Sequence, residues 1–90
     1  MKKKRISLGR LVVTPSALAS IENQTMEIAL NRHLQGDWGD VNEEERLSND
    51  RALTEGSKII SKYKNSTGIE FWIRTEWDWS GTTVLLPNDL

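Results

Sequence analysis

The stretch "IEFWIRTEWD", residues 69–78, most constrains the fold, because apolar and polar side chains alternate along it. Successive side chains of a β-strand point to opposite faces of a sheet, so the alternation predicts a strand with one buried and one solvent-exposed face. One set of side chains is predicted to face the core: Ile69, Phe71, Ile73, Thr75 and Trp77. The other set is predicted to face water: Glu70, Trp72, Arg74, Glu76 and Asp78.

Three shorter β-rich segments accompany this strand. "SKIISKYK", residues 57–64, places Ile59 and Tyr63 on one face and connects to the long strand through "NSTG", a connection typical of a β-hairpin. "TTVLL", residues 82–86, follows the turn "WSG", and "SLGRLVV", residues 7–13, lies near the N-terminus. The sequence therefore predicts a meander of three strands that the first strand joins.

Helices are predicted between the first two strands. "PSALASIE", residues 15–22, follows Thr14, a good N-cap residue, and starts with a proline, whose missing N–H costs nothing at that position. "TMEIALNRHLQG", residues 25–36, starts with Thr25 as its N-cap. Gly36 can adopt the left-handed conformation that ends this second helix.

A third helix, "EEERLSNDRALTE" at residues 43–55, is preceded by Asn42, which with Glu45 resembles a capping box, and Gly56 is expected to end it. The resulting order β-α-α-α-β-β-β predicts an α+β fold, an antiparallel sheet with helices packed on one face. The 90 residues are expected to form a single domain, in which residues 1–6 are a mobile basic tail.

Composition narrows the class of protein. Lys and Arg number 12 against 13 Asp and Glu, and the net charge of −1 disfavours a dedicated nucleic-acid binder. The absence of cysteine excludes a thiolate metal site and a cysteine nucleophile, and it fits a cytoplasmic protein. The basic N-terminus "MKKKRISLGRLVV" lacks the apolar core of a signal peptide, and no segment approaches the roughly 18 apolar residues of a membrane span.

The stretch "HLQGDWGDVNEEE", residues 33–45, most suggests chemistry, because it holds the one histidine beside several carboxylates. That combination is a weak pattern for zinc, and its spacing does not fit a calcium loop. A junction between two helices explains the same residues: Gly36 stops one helix, Asn42 starts the next, and Trp38 packs between them with its indole N–H on a carbonyl or carboxylate. We therefore predict a structural, partly buried His33 and no metal, cofactor or catalytic residue.

Two surfaces are predicted to bind a protein partner. Trp and Arg dominate interaction hot spots, and both occur on the exposed face of the long strand. The alternative for that face is a cross-strand cluster in which Trp72 covers lysine stems. The acidic residues of the helix junction are expected to steer the partner's approach. The predicted contact residues are Trp72, Arg74, Glu76, Trp79, Asp37, Asp40, Glu43 and Glu44.

Three segments carry a resemblance to a known family: "GRLVVTPSAL", "RHLQGDWGDVNEEER" and "TEWDWSGTTVLLP". With them the chain resembles a family of small proteins found on plasmids, phages and integrative elements of bacteria. The "GDWG" box and the final "TTVLLP" are its most specific parts. Family members read closer to "TEADRS" at the penultimate turn, so Trp79 stands here in place of an arginine. The resemblance implies an accessory protein of a mobile element and supplies no reaction.

These observations favour a non-enzymatic protein-interaction module, such as an inhibitor or modulator of a host defence system, that acts as a monomer or homodimer without a membrane partner. The order of elements is also similar to that of RelE/ParE-like toxins, an analogy at the level of fold. It implies, as an alternative, an endoribonuclease or a degenerate relative that uses Arg10, Lys62, Lys64 and Arg74. A second alternative is a nucleic-acid-binding regulator that uses the basic tail.

Overall fold

A computed structural model describes residues 7–90, and it confirms the α+β class and the predicted order of elements. The predicted basic tail at residues 1–6 lies outside the described residues. The elements are β1 (Arg10–Val13), α1 (Pro15–Ser20), α2 (Asn23–Leu34), α3 (Glu43–Glu55), β2 (Ile59–Lys64), β3 (Glu70–Thr75), β4 (Gly81–Leu85) and a final 3-10 helix (Pro87–Asp89).

The sheet is mixed, so the prediction of a purely antiparallel sheet was wrong in this respect. The strands lie in the order β1-β4-β3-β2. β2, β3 and β4 form the predicted antiparallel meander, whereas β1 pairs with β4 in parallel. A parallel pair needs a long crossover connection, and here the three helices and the hairpin supply it. No local pattern in "SLGRLVV" distinguishes this pairing from an antiparallel one.

The helices cover one face of the sheet and form the core with it. α1 contacts β4, α2 contacts β3 and α3 contacts β2. The sheet supplies several large buried side chains of this layer, namely Ile59, Tyr63, Phe71, Ile73 and Val84. The opposite face of the sheet is the one that carries Trp72 and Arg74, and we call it the open face. Within residues 7–90, none of the helices combines the length and the apolar character needed to cross a membrane.

Local capping residues set most of the helix ends. Thr14 caps α1 by accepting a hydrogen bond from the N–H of Ala17 at 3.2 Å. α3 begins with the predicted reciprocal capping box of Asn42 and Glu45 and ends at a left-handed Gly56. The predicted N-cap Thr25 was wrong, because the N-cap of α2 is Glu22. The helix therefore begins before the threonine, which lies in its first turn.

The alternation along β3 holds only inside the strand. Phe71, Ile73 and Thr75 are fully buried, as predicted. Ile69 and Trp77 are 39% and 66% exposed, so their predicted inward orientation was wrong. The strand stops at Thr75, because the chain then turns tightly toward β4. A side chain beyond the last paired residue no longer follows the period of the sheet.

The "GDWG" box closes the outer edge of β2. The N–H of Lys62 donates to the carbonyl of Trp38 at 3.0 Å, and the N–H of Asp40 donates to the carbonyl of Lys62 at 2.7 Å. Two residues before Lys62 in β2, the side-chain amide of Asn49 in α3 binds both the N–H and the C=O of Ile60, at 3.2 and 2.8 Å. These bonds occupy backbone groups that a free edge strand would leave unpaired.

Gly39 is the residue that lets this edge form. Its φ of 73° is left-handed, and a Cβ atom would lie 2.1 Å from the carbonyl oxygen of Lys62 and 2.8 Å from the Tyr63 ring. A residue with a Cβ atom cannot occupy this position without moving the backbone. The box is therefore a backbone contact with β2, not only a turn between helices.

We expect Gly39→Ala to lower the free energy of unfolding by roughly 3 kcal/mol, because it adds a backbone clash to the strain of a positive φ. Gly68→Ala is the matched control: Gly68 also has a positive φ, of 86°, but a Cβ there meets nothing within 4 Å. The control should cost only about 1 kcal/mol. Urea unfolding of both variants makes the comparison, and equal losses would contradict a close approach at Gly39.

Candidate protein-docking surface

The helix-covered face contains a buried hydrogen-bond chain centred on His33, whose side chain is fully buried. Its Nδ1 atom lies 2.5 Å from the Ser61 hydroxyl of β2, and its Nε2 atom lies 2.8 Å from the Thr75 hydroxyl of β3. The Thr75 hydroxyl lies 2.9 Å from that of Thr82 in β4. Thr82 in turn donates to the carbonyl of Leu8 at 2.7 Å.

The direction of the chain follows from the number of protons available. The Thr82 proton is used on Leu8, so Thr82 can only accept from Thr75. The Thr75 proton is then also used, and Thr75 must accept from an N–H at Nε2 of His33. A neutral imidazole protonated at Nε2 presents a bare Nδ1, which accepts from Ser61. His33 is thereby assigned as the neutral Nε2–H tautomer.

Burial keeps this histidine neutral. Desolvation lowers the pKa of His33 to about 4, well below its ordinary 6.5. Trp38 packs edge-on against the imidazole with ring centroids 5.7 Å apart, and its own indole N–H donates to Asp50 at 2.9 Å, as predicted for the helix junction. Both ring nitrogens of His33 are committed to the core, so the histidine is structural, and it is more deeply buried than predicted.

We expect the unfolding free energy to fall by about 2 kcal/mol between pH 7 and pH 5, because the unfolded histidine binds a proton near pH 6.5 and the folded one only near pH 4. The stabilising contribution is complete above pH 6.5 and is lost as the pH falls toward 4. The variant His33→Gln should be less stable at pH 7 but should lack this loss. Urea unfolding at pH 7 and pH 5 measures the change in the unfolding free energy. Equal decreases in the wild type and in His33→Gln would refute the assignment of His33 as a buried neutral histidine.

A groove of about 460 Å³ lies between α3 and the open face of the sheet. Its sheet side is formed by Ile60, Lys62 and Trp72, and its helix side includes Glu44 and Glu45. The predicted aromatic contact of the strand and a predicted acidic residue of α3 thus line one concave surface. Sequence patterns placed them in separate elements and gave no reason to join them.

A cation links the two walls of the groove. The Lys62 ammonium lies 4.8 Å from the centroid of the Trp72 ring and 2.6 Å from Oε2 of Glu45. This hydrogen bond from Lys62 is the main cause that lowers the pKa of Glu45 below its ordinary value. The half-buried Trp72 indole donates to Glu70 at 2.5 Å. The alternative in which Trp72 covers lysine stems therefore describes its contact with Lys62. The groove lies beside this contact.

Arg74 and Glu76, two further predicted contact residues, pair with each other. Arg74 Nε lies 3.1 Å from Oε2 of Glu76, an ion pair without a hydrogen bond at that nitrogen. Arg74 sits opposite Ile60 on one side and Thr83 on the other, and its side chain is 30% exposed. The pair extends the open face from the groove toward the end of β3.

The predicted acidic residues occupy different places. Asp37 binds Arg32 through both carboxylate oxygens, at 2.8 and 3.1 Å, and lies with Asp40 along the "GDWG" edge. Glu43 forms an ion pair with Arg46 at 2.6 Å. Of the acidic contact residues, only Glu44 lines the groove. Two of these four acidic residues, Asp37 and Glu43, are therefore engaged in ion pairs with arginines of the same chain.

Trp79 is half-buried and lies in the β3–β4 turn, as the turn "WSG" predicts. It has a left-handed φ of 59° and lines a separate pocket of about 260 Å³ with Trp77 and the end of α3. Gly9 approaches the same turn so closely that a Cβ would lie 2.5 Å from the carbonyl of Trp79. The turn tip is thus a second exposed aromatic feature, distinct from the groove.

Sequence reasoning missed several residues of the groove as site residues, among them Glu45, Ile60, Lys58 and Asn49. Lys58 contributes to its lining, and Asn49 holds α3 against β2. The signal for Asn49 is a polar residue on the side of α3 that also buries Ala52 and Leu53. Comparison of the chain with protein-family models, curated proteins and solved structures found no match.

Proposed function

We propose that this protein is a non-enzymatic docking module that binds a protein partner through the open face of its sheet. The observation that carries the proposal is the groove between α3 and Trp72, which lies on the open face, opposite the face that carries the buried side chains of β3. Trp is among the residues that contribute most binding energy in protein interfaces, above all when it borders a preformed pocket. The open face offers such a residue in the lining of a concave surface.

The groove is held in shape before any partner arrives. The Glu45–Lys62 ion pair and the contact of Lys62 with the Trp72 ring fix the two walls relative to each other. Asn49 fastens the helix wall to the β2 backbone. A preorganised surface loses less side-chain entropy on binding, which favours affinity. These contacts support the proposal of a docking surface.

The charges around the groove indicate what the partner presents. Glu43 and Glu45 are engaged by Arg46 and Lys62, whereas Glu44 makes no ion pair within the described part of the chain. We infer a partner with an apolar side chain that enters the groove beside Trp72 and a basic side chain that meets Glu44. The apolar contact would supply most of the affinity, and the charge pair would mainly accelerate association.

The proposed biological setting rests on the resemblance of the three motifs to proteins of plasmids, phages and integrative elements. In that setting, the partner would be a component of a host defence or replication complex in the bacterial cytoplasm. An accessory protein that blocks or modulates such a complex needs a binding surface and no reaction of its own. The docking face meets that requirement.

Truncation of the Trp72 side chain should abolish binding of the partner. In affinity capture from a lysate of the bacterial host, we expect a protein that is retained by the wild type and lost with Trp72→Ala. Ile28→Ala is the matched control, because Ile28 is an equally apolar, 55% exposed residue on α2, away from the groove. A protein lost with both variants, or with neither, would contradict docking at the open face.

With the captured partner purified, surface plasmon resonance separates the two roles. Trp72→Ala should weaken binding by roughly 2 kcal/mol, mainly through faster dissociation. Glu44→Lys should instead slow association, with an effect that shrinks at high salt. If Trp72→Ala unfolds the domain, as circular dichroism would show, Trp72→Phe provides the reduced side chain in a folded protein. Unchanged dissociation from a folded Trp72 variant would overturn the proposal.

A ribonuclease of the RelE/ParE-like kind is the second candidate, and one observation favours it. By strand register, the open face carries all four of the cations assigned to that alternative, Arg10, Lys62, Lys64 and Arg74. Two of them are already paired with carboxylates, Lys62 with Glu45 and Arg74 with Glu76. The one histidine is buried on the opposite face, where it cannot reach a substrate on this surface.

Expression in a bacterial host distinguishes the two candidates. We expect the wild type and Arg74→Ala to permit the same growth, with messenger RNA intact on Northern blots or by sequencing of 5′ ends. Arg74 lies on the open face with its side chain 30% exposed and forms an ion pair with Glu76, and circular dichroism of Arg74→Ala verifies that the variant is folded. Growth arrest and RNA cleavage by the wild type but not by Arg74→Ala would replace docking with the ribonuclease function.

A further inference from the structure

The two edge strands of the sheet differ in the hydrogen bonding of their outward backbone groups. At the β2 edge, the outward N–H and C=O groups of Ile60 and Lys62 are bound by Asn49 and by the "GDWG" box. At the β1 edge, no donor or acceptor within residues 7–90 meets the outward backbone groups. An edge strand with free backbone groups is a template for pairing with another strand. β1 is such an edge.

The direction of the free groups follows from the bonds that β1 makes to β4. Arg10 and Thr14 donate their N–H groups to Ser80 and Val84, each at 3.0 Å. Backbone groups alternate between the two sides of a strand, so Arg10, Val12 and Thr14 face β4 while Leu11 and Val13 face away. Among the described residues 7–90, the N–H and C=O groups of Leu11 and Val13 along the outer edge therefore have no backbone partner.

The side chains at this edge are apolar and accessible. Leu11 is 46% exposed and Val12 is 45% exposed, on opposite faces of the sheet. The strand contains no proline, and its only charge is Arg10 at its start. Natural edge strands are usually blunted by charges, proline or a covering element. The combination of free backbone groups and exposed apolar side chains is that of a strand prepared to pair.

We propose that the occupant of this edge is β1 of a second copy of the chain, paired antiparallel about a two-fold axis at Val12. In that register, Leu11 of one copy faces Val13 of the other, and each of these pairs exchanges both of its N–H···O bonds. The two Val12 side chains lie side by side on the open face, and Arg10 faces Thr14. No like charges meet, so the edge is complementary to itself.

An alternative two-fold axis at Leu11 is less favourable. It would place Val13 opposite Gly9, whose left-handed φ of 61° takes the backbone out of the extended conformation. The axis at Val12 uses only residues between Arg10 and Thr14. Self-complementarity about a residue that is apolar and exposed favours a second copy over an unrelated strand, which would not need this symmetry.

The dimer joins two four-stranded sheets into one continuous sheet with the helices of both copies on the same side. If the open face binds a partner as proposed above, the two docking grooves also lie on one side of the dimer, which would favour a partner with repeated sites. The dimer itself is independent of that function. Its test therefore uses the protein alone.

The test is analytical ultracentrifugation at about 0.15 M salt, over a range of protein concentrations. We expect the wild-type mass to rise from the 10.3 kDa of one chain toward twice that value. Val12→Glu and Val12→Lys each place two like charges side by side at the axis and should weaken dimerisation more than roughly tenfold. An equimolar mixture of the two variants should recover the dimer, because opposite charges then meet.

Val12→Thr is the control, since threonine keeps the β-branched shape and adds no charge, and it should dimerise much as the wild type does. Hydrogen exchange adds a residue-level readout: the amides of Leu11 and Val13 should be protected in the wild type and exposed in Val12→Glu. A wild type that stays monomeric at millimolar concentration would overturn the proposal and leave the edge to a different protein. Charged variants that remain dimeric, or a mixture that stays monomeric, would overturn it equally.

Discussion

The hydrogen-bond chain through His33 is the interaction on which the rest of the structure depends. It connects α2 to β2 and β3 directly, reaches β4 through Thr82, and ends on the carbonyl of Leu8 just before β1. A buried polar group without a partner costs free energy comparable to a lost hydrogen bond, so each member requires the next one. Elements that are distant in sequence are thereby fixed in one register, which apolar packing alone would specify less tightly.

Closing one face of the sheet in this way leaves the other face available. The three helices cluster over the His33 side, while Trp72, Lys62 and Arg74 stand on the open face. α3 serves both regions, because its Ala52 and Leu53 are buried in the core while Glu45 reaches around the β2 edge to Lys62. The groove proposed for docking is thus a consequence of how α3 is fastened to the edge strand. Within residues 7–90, the β1 edge has no comparable cover.

The sequence predicted features that depend on neighbouring residues. The capping box of Asn42 and Glu45, the N-cap Thr14 and the alternation within β3 are local, and all three were confirmed. Trp77 was predicted wrongly because the period of a strand says nothing about where its last backbone pair lies. The "GDWG" box was recognised as a junction between helices, but its backbone pairing with β2 was not.

The features that sequence reasoning missed join residues far apart along the chain. The parallel partner of β1 is the last strand, and the partners of His33 lie in β2 and β3. The groove likewise requires Glu45 and Lys62 to meet. Contacts between residues far apart in the sequence leave no periodic pattern. A predicted exposed Trp72 and a predicted acidic helix could therefore not be combined into one surface before the fold was known.

The protonation state of His33 tests the central claim most directly, because the direction of the whole chain follows from it. The 15N chemical shifts of the imidazole, measured by two-bond correlation to the ring protons, distinguish the two tautomers. The account predicts a proton on Nε2 and a bare Nδ1, with the imidazole still mainly neutral at pH 5, since the pKa is lowered to about 4. A proton on Nδ1, or an imidazolium forming near the ordinary pKa of 6.5, would contradict it.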